Sequence, residues 1–525
     1  MFTKPSWFSL DDAQLTRGGN PPAWPALLTL SVSALALHLL FYKGYGFFRD
    51  EMYFIACSHR LAWGYPDHPP GAPFVAWLSE RVFGSSVFAI RAIPSLFSAI
   101  QVLFAGLTAA AMGGGRYAQV LTCICVLAAP QYFVSYLNTD IFVKVGWAVC
   151  AYIGVRVLAG GSPRLWMLFG FFAGLALYGK DSMMFFLFSF TLGILLSSQR
   201  RLLVDKRFWF GLAVAIVMLL PNLIWEKLHS WPTLELLRNI DHSTKNIVLS
   251  PWGYFASNSR FLSLASFPIW FAGILWCLFA IRAKSFRAFG WMWIIAFATF
   301  VFLKGKSYYL APIYPVLFAA GSVAVASMLE RLGQRANWSK HAIAGVILTG
   351  AMLRWPFAVA MLPTKEYIEY SSFMGAQPAR FENVALDKLP QMYADQFGWP
   401  EMTAKVGQIY NSLSPSDKAK CGIYAHNYGE AAALEYYGPK YGLPRVISPH
   451  NSFWLWGPGP YTGECLIEVG NSRKNLDLLF GSVVQMGETY HEYAISYENH
   501  QPIWIVREPR FGTLQDLWPK IKVYK

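Results

Sequence analysis

The sequence has 525 residues, of which 55% are hydrophobic and only 14% are charged. A soluble globular domain carries about 25% charged residues, so the composition excludes a chain with a hydrated surface throughout. The formal net charge of +14 is compatible with nucleic-acid binding, but basic loops on the cytoplasmic side of a membrane explain it more simply. We therefore expect membrane lipids, and no nucleic acid, as partners.

Long stretches without Asp, Glu, Lys or Arg predict membrane-spanning helices. They cover residues 18–42, 92–115, 117–139, 261–281 and 307–329, and about 20 apolar residues suffice to cross the hydrocarbon core. Helices are the expected form because lipid cannot hydrogen-bond an open backbone. The pattern predicts eleven spans, at residues 24–43, 87–112, 117–135, 140–160, 165–180, 183–199, 208–226, 262–281, 288–304, 308–329 and 341–362.

The loops between these predicted spans sort by charge. One alternate set is short and mostly basic, and includes QRRLLVDKR at 199–207 and ERLGQRANWSK at 330–340. Short basic loops face the cytoplasm, which also places the N-terminus there. The other set contains the long loop 44–86 and everything after residue 363, so these parts are expected on the outer side of the membrane.

The composition changes from about Pro363, where charged residues and Asn become frequent. We predict a transmembrane module at 1–362 and a soluble α/β domain at 363–525, because CGIYAH, RVISPH, ECLIEVG and PIWIVREP indicate strands while YGEAAALEYYG and NLDLLFG indicate helices. Cys421 and Cys465 each start a predicted strand and can pair in an oxidising compartment. Their spacing alone leaves that pairing open.

Residues 49–70, RDEMYFIACSHRLAWGYPDHPP, concentrate ionisable groups in the first outer loop. Asp50 and Glu51 are adjacent and follow the first predicted span. The two prolines after Asp67 and His68 keep the chain extended, which is expected to display both side chains on a stiff turn. A polar outer loop would explain scattered charges, but it explains this clustering beside aromatic residues less well, so we favour a functional site.

These motifs resemble a known family. DEMYF, which contains Tyr53, and GYPDHPP at 64–70 resemble the first outer loop of the GT-C glycosyltransferases. The similar branch contains the protein O-mannosyltransferases and the lipid A aminoarabinose transferase. Where that transferase has Lys before the two prolines, this chain has His68.

Further segments resemble the same branch in the same order. They are AIRAIPSLFSA with Arg91, NTDIFVKVGWAVCAYIGV with Asp140, GLALYGKDSMM with Lys180, and LKGKSYYLAPIYPVLFAAG. The resemblance covers about residues 24–330 and leaves the tail without substrate information.

The resemblance implies a polytopic α-helical GT-C fold in a bacterial inner membrane, with the tail in the periplasm. It also implies a sugar donor linked to a polyprenyl phosphate and transfer with inversion to a hydroxyl. A hydroxyl is a poor nucleophile, so a carboxylate should take its proton. Asp50 matches the catalytic Asp of the family, and Glu51 stands beside it. The acceptor stays open between a glycolipid, a polysaccharide and a protein.

The departing lipid phosphate needs positive charge or hydrogen-bond donors where negative charge develops. The outer-face candidates are Lys180, His68, Arg91, Lys304, Lys306 and Tyr309. Lys and Arg at span ends also extend to lipid head groups without any catalytic role, and for Lys304 and Lys306 both readings stay open.

A divalent cation is the one cofactor that the sequence leaves open. Asp67 and His68 provide a carboxylate and an imidazole, which suit such an ion, but two ligands do not make a site. The chain has no phosphate-binding loop of the Gly-x-x-x-x-Gly-Lys-Ser/Thr type, and MGGGRY at 112–117 reads as a turn between two spans. This fits a lipid-linked donor.

Two other functions remain as alternatives. A transporter would also have many spans, but transporters commonly show internal repeats and polar residues at mid-span, whereas here the polar groups cluster at one face. A non-catalytic glycolipid-binding protein is the second alternative, because the aromatic residues of SPHNSFWLWGPGPY at 448–461 could stack on sugars.

Overall fold

The computed structural model describes residues 19–130, 136–243, 247–380 and 382–525. Its first two thirds are helical. The helices up to residue 352 are α1 Trp24–Leu40, α2 Arg49–Ser58, α3 Gly71–Phe83, α4 Val87–Ala111, α5 Arg116–Ala128, α6 Asp140–Leu158, α7 Leu165–Leu177, α8 Met183–Leu195, α9 Lys206–Leu228, α10 Pro232–Asp241, α11 Pro251–Phe261, α12 Phe267–Phe279, α13 Arg287–Phe302, α14 Tyr314–Arg331 and α15 Asn337–Met352.

Each of the eleven predicted spans overlaps one of these helices. Among the described residues, five helices are long and apolar enough to cross a membrane, and they lie at Val87–Ala111, Asp140–Leu158, Lys206–Leu228, Ile281–Phe302 and Ser307–Arg331. A sixth candidate combines Pro251–Phe261 with Leu264–Phe279, which are bent by 99°. A multi-pass helical protein is therefore confirmed, while eleven crossings and their orientation stay predictions.

Small residues bring pairs of helices into close contact. Gly170 on α7 and Gly211 on α9 face each other so closely that a side chain on either would overlap the opposing backbone. Gly273 on α12 and Gly321 on α14 meet in the same way. Close backbone approach at glycine is typical of helix packing in lipid, where dispersion contacts replace the hydrophobic effect.

The predicted first outer loop is largely helical. Asp50 lies in the first turn of α2 and not at the end of the first span, which stops at Leu40. The carboxylate of Glu51 accepts a hydrogen bond from the amide of Phe48 at 2.9 Å. This contact satisfies one of the free donors at the helix start and fixes where α2 begins.

The tail contains further helices and a five-stranded sheet. The strands are β1 Cys421–Ala425, β2 Val446–Ile447, β3 Cys465–Val469, β4 Phe480–Glu488 and β5 Pro502–Pro509, in the order β2-β1-β3-β5-β4. The helices are α16 Thr364–Phe373, α17 Gln391–Ala394, α18 Trp399–Asn411, α19 Pro415–Lys418, α20 Tyr428–Tyr437, α21 Asn451–Leu455, α22 Arg473–Leu479 and α23 Leu514–Leu517.

The predicted α/β character of the tail is confirmed. The four predicted strands are β1, β2, β3 and β5, and the two predicted helices are α20 and α22. The sequence pattern missed β4, an edge strand with mostly exposed side chains that lacks the apolar alternation of a half-buried strand. β1 and β3 pair in parallel with Cys421 opposite Cys465, and a disulfide joins these two residues.

The tail packs directly on α2 of the helical module. Met52 and Ile55 on α2 belong to the same buried apolar cluster as Ile423 on β1 and Leu434 on α20. Burial of apolar area stabilises such a contact by about 25 cal/mol per Å². The sequence motif around Asp50 is therefore covered by the tail and not simply exposed to solvent.

Candidate active site

A cavity of about 410 Å³ lies between the helical module and the start of the tail. Its wall contains charged and phenolic side chains from distant parts of the chain, namely Arg49, Asp50, Asp140, Lys144, Lys180, Lys306, Arg354, Glu382, Tyr136, Tyr308 and Tyr309. The structure thus brings Asp50 together with four further residues singled out from the sequence, namely Asp140, Lys180, Lys306 and Tyr309.

Asp50 reaches the cavity from the first turn of α2, with about a third of its side chain exposed. Its Oδ1 atom accepts a hydrogen bond from the hydroxyl of Tyr428 at 2.8 Å. The Nε atom of Arg49 lies 3.7 Å from the same oxygen. The helix dipole favours a carboxylate at a helix start. The hydrogen bond from Tyr428 also ties this carboxylate to the tail.

Lys180 and Asp140 form an ion pair in the cavity wall. Asp140 is the first residue of α6, and Lys180 follows the end of α7. The Nζ atom of Lys180 lies 2.5 Å from Oδ1 of Asp140 and 4.8 Å from the centroid of the Tyr309 ring. The carboxylate and the ring face hold the ammonium group at a fixed point of the cavity.

Lys306 forms the second ion pair of the wall. Its Nζ atom lies 2.9 Å from Oε1 of Glu382, a residue of the segment that links α16 to α17. Tyr308 and Tyr309, which follow shortly after Lys306 in the chain, also line the cavity. Both lysines are less than a quarter exposed, at 20% for Lys180 and 18% for Lys306, so a phosphate that enters would meet them with little competing water.

Glu51 and Arg91 lie behind the cavity and not in its wall. Glu51 is fully buried and Arg91 is 1% exposed. Oε1 and Oε2 of Glu51 accept hydrogen bonds from Nε and Nη2 of Arg91 at 2.9 and 2.6 Å. The amide of Leu137 donates a further bond to Glu51. We interpret this pair as a structural anchor, because a fully saturated buried carboxylate has no lone pair to offer a substrate.

Asp67, His68 and Tyr53 also lie outside the cavity wall, beneath the tail. Oδ1 of Asp67 accepts from the Tyr53 hydroxyl at 2.8 Å and Oδ2 accepts from Asn451 at 3.0 Å. Burial raises the pKa of Asp67. Contrary to the expected display on a stiff turn, both Asp67 and His68 are covered, because the tail packs over the turn.

His68 contacts its own turn and a ring of aromatic side chains. Its Nδ1 atom lies 2.9 Å from the carbonyl oxygen of Pro69, and Nε2 lies 3.9 Å from Asp67. Within the described ranges, no group of three or more His, Cys, Asp or Glu side chains is placed to hold a metal ion. A cation at Asp67 and His68 would thus depend on ligands from outside this set.

Lys304 is exposed and does not line the cavity, although it stands two residues before Lys306. A turn follows the end of α13 at Phe302, and Lys304 lies in it with a positive φ of 51°. The spacing in the sequence does not show which of the two lysines lines the cavity, and only the structure identifies it as Lys306.

Several residues of the site lie outside what the sequence motifs indicated, among them Tyr136 in the cavity wall. Arg354 and Glu382 line the cavity, and Tyr428 binds Asp50. Arg354 follows α15, and Glu382 and Tyr428 belong to the tail, where the family resemblance gives no motif. The role of Tyr428 becomes visible only from the contact between the tail and α2 in the structure.

Parts of this chain are similar in sequence to known proteins. The family model described as dolichyl-phosphate-mannose-protein mannosyltransferase matches residues 67–225. The lipid A galacturonosyltransferase RgtD of Rhizobium johnstonii is 25% identical over 270 residues, which is 49% of this chain and 55% of that protein. The match therefore spans about half the length of each protein.

Solved structures share the fold over nearly the whole chain. ArnT from Cupriavidus metallidurans bound to undecaprenyl phosphate has a TM-score of 0.55 and 15% identity, and the match covers 91% of this chain and 97% of that one. The apo state of the same protein also gives a TM-score of 0.55, with 92% and 98% covered. The predicted resemblance to ArnT-like GT-C glycosyltransferases is thereby confirmed, by the family model over residues 67–225 and by the fold.

Proposed function

We propose that this chain, which resembles the ArnT-like GT-C glycosyltransferases, transfers a sugar from a polyprenyl-phosphate donor to a hydroxyl of a cell-envelope acceptor. The reaction would take place at the outer face of the plasma membrane. The sharing of one cavity by Asp50, Lys180 and Lys306 carries the proposal, because it provides a proton acceptor and positive charge for an anionic leaving group within the same space.

Asp50 is the general base of this proposal. The acceptor oxygen forms a bond to the anomeric carbon while the bond from that carbon to the phosphate oxygen breaks. The electron pair of the broken bond leaves with the polyprenyl phosphate, and the acceptor proton passes to the Asp50 carboxylate. Attack opposite to the leaving group inverts the anomeric configuration. Proton transfer to a positioned side chain typically contributes about 10²- to 10⁴-fold to such a rate.

Lys180 and Lys306 receive the leaving phosphate. Each already pairs with a carboxylate, Asp140 and Glu382 respectively, so donor binding exchanges or extends these pairs and does not bury a new charge without a partner. Positive charge fixed beforehand near the developing phosphate stabilises the transition state without reorganisation. Tyr309 keeps the Lys180 ammonium in place through its ring face.

The relatives indicate which substrates to test first. ArnT was solved with undecaprenyl phosphate, and RgtD is named for lipid A and galacturonic acid. We therefore propose an undecaprenyl-type carrier and a membrane glycolipid as acceptor, with a protein or polysaccharide as the alternatives.

The test uses full-length protein in lipid nanodiscs. A total lipid extract from a strain lacking the gene supplies donor and unmodified acceptor, and mass spectrometry follows the addition of one sugar. Wild-type protein should give the product. Asp50→Asn should give none and should bind undecaprenyl phosphate like wild type. Asp387→Asn, an exposed carboxylate outside the cavity, is the matched control and should be fully active.

Each alternative function predicts a different result. Full activity of Asp50→Asn would assign the base to another residue. Binding of undecaprenyl phosphate without sugar transfer by wild type, in extract and in membranes containing envelope proteins and polysaccharides, would favour a non-catalytic glycolipid-binding protein. Uptake of labelled sugar into proteoliposomes without any transfer would favour the transporter.

A further inference from the structure

The proposed base is held by a residue 378 positions away in the chain. The hydroxyl of Tyr428, the first residue of α20, donates a hydrogen bond of 2.8 Å to Oδ1 of Asp50. Oδ2 of Asp50 makes no hydrogen bond with the described part of the chain. One carboxylate oxygen is therefore occupied by the tail, and the other remains for a substrate.

Arg49 strengthens this contact. Its guanidinium carbon lies 5.3 Å from the centroid of the Tyr428 ring and 5.6 Å from that of Tyr497. Nη1 donates a hydrogen bond to the Tyr497 hydroxyl, and Nη2 lies 3.8 Å from Oδ2 of Asp395. Arg49 thus links α2 to two tyrosines of the tail through cation–π contacts.

The start of α20 is itself fixed. Oδ1 of Asn427 accepts hydrogen bonds from the amides of Gly429 and Glu430 at 2.8 and 3.0 Å. The carboxylate of Glu430 accepts a hydrogen bond from the amide of Asn427 at 3.1 Å. Such a reciprocal cap defines the first turn of a helix, so the backbone that carries Tyr428 cannot rotate independently.

The space between α20 and α2 is also closely filled. A Cβ atom added at Gly429 would lie 2.5 Å from Cδ of Arg49, which is closer than real contacts allow. The absence of a side chain at this position is what lets Arg49 lie between the two tyrosine rings.

We propose that the tail completes the catalytic site and that Tyr428 is the positioning residue of Asp50. Its hydroxyl would fix the rotation of the carboxylate so that Oδ2 points to the acceptor hydroxyl. This inference depends on the proposed function, because it assumes that Asp50 takes the proton. It gives the tail a role in catalysis for which the sequence holds no motif.

The first test compares Tyr428→Phe with Tyr437→Phe in nanodiscs and deletion-strain lipid extract. Both changes remove one hydroxyl from α20, and the Tyr437 hydroxyl has no hydrogen-bond partner among the described residues. Loss of a hydrogen bond to a carboxylate should lower the apparent kcat about tenfold. The apparent KM, measured by titrating the extract, and the Kd for undecaprenyl phosphate should stay within twofold of wild type. Tyr437→Phe should behave as wild type.

The second test is Gly429→Ala, which displaces Arg49 without removing any polar group. We expect a loss of apparent kcat with the Kd for undecaprenyl phosphate retained. Thermal unfolding of each variant shows whether the tail still folds, and assays well below the measured Tm remove any contribution from unfolding.

The outcomes separate this inference from the proposed function. If Tyr428→Phe keeps a wild-type apparent kcat while Asp50→Asn is inactive, the positioning role is wrong and the base stands. If Asp50→Asn is fully active, the proposed base itself is wrong. If Tyr428→Phe changes apparent KM or the Kd for undecaprenyl phosphate and leaves kcat unchanged, the tail shapes substrate binding and the inference is overturned.

Discussion

Arg91 and Glu51 form a buried, doubly hydrogen-bonded ion pair, with Nη2 of Arg91 2.6 Å from Oε2 of Glu51. The neighbouring Asp50 faces the cavity instead. Successive residues in a helix point about 100° apart, so two adjacent carboxylates can have different environments. We therefore assign different roles to the two residues: Asp50 faces the substrate cavity, and Glu51 anchors the fold.

Glu51→Gln should destabilise the protein, while Asp50→Asn should not. Removing the charge of Glu51 leaves Arg91 buried without its partner, which typically costs about 3–5 kcal/mol. We expect a clearly lower Tm for Glu51→Gln and a nearly wild-type Tm for Asp50→Asn, measured by thermal unfolding of the purified proteins in one detergent. An unchanged Tm for Glu51→Gln would contradict the anchoring role.

Lys306→Met should weaken undecaprenyl phosphate binding, and Lys304→Met should not. The first change removes a positive charge from the cavity and leaves Glu382 facing the incoming phosphate, so we expect roughly a tenfold higher Kd. Lys304 is exposed outside the cavity and serves as the matched control. Calorimetric titration of both proteins in nanodiscs measures the difference.

Glu382→Gln should have the opposite effect on the same Kd. Glu382 competes with the phosphate for Lys306, from which it lies 2.9 Å away. Without its charge the lysine is available, so binding should become tighter. A weaker affinity for Glu382→Gln would mean that the carboxylate orients Lys306 and does not compete with the ligand.

The bond between Cys421 and Cys465 should stabilise the tail. It closes a loop with a sequence separation of 44 residues, and closing a loop of this size typically contributes about 2–4 kcal/mol. Replacing both residues by Ala, or adding a reductant, should lower the Tm. Mass mapping without reduction should find both thiols blocked, and alkylation of both in the untreated protein would exclude the bond.

Glu468 should make the tail less stable as pH rises. It is buried on β3, and burial raises its pKa to about 8 from the usual value of 4.5. The folded state then holds the proton more tightly than the unfolded state, so stability is greatest below about pH 4.5 and falls as pH rises towards 8. The Tm of Glu468→Gln should fall less between pH 5 and pH 8 than that of wild type. Glu464→Gln, at an exposed ion pair, should follow wild type.

Labelling with a membrane-impermeant maleimide should distinguish the two sides of the membrane. The five free cysteines of the described residues are buried, so they give little background. Ser416→Cys in the tail should react in intact cells, whereas Arg201→Cys in a basic loop should react only after lysis. Both positions are exposed in the structure. The reverse pattern would invert the predicted topology.

The sequence by itself determined the class of the protein. Each apolar stretch of spanning length that predicted a helix overlaps a helix of the structure, because burial in lipid depends on local composition. The motifs with Asp50, Asp140 and Lys180 carried the family resemblance. The strands β1, β3 and β5 could be read because β-branched and aromatic residues favour a half-buried extended chain.

Only the tertiary structure decided which side chains share the cavity. Glu51 and Asp50 look equivalent in the sequence, as do Lys304 and Lys306, but only Asp50 and Lys306 line the cavity. Glu382 and Tyr428 lie in the tail, where the resemblance gives no motif, and they reach Lys306 and Asp50 only because the tail packs on the helical module. Contacts between such distant segments depend on how whole elements pack, which no local pattern of residues records.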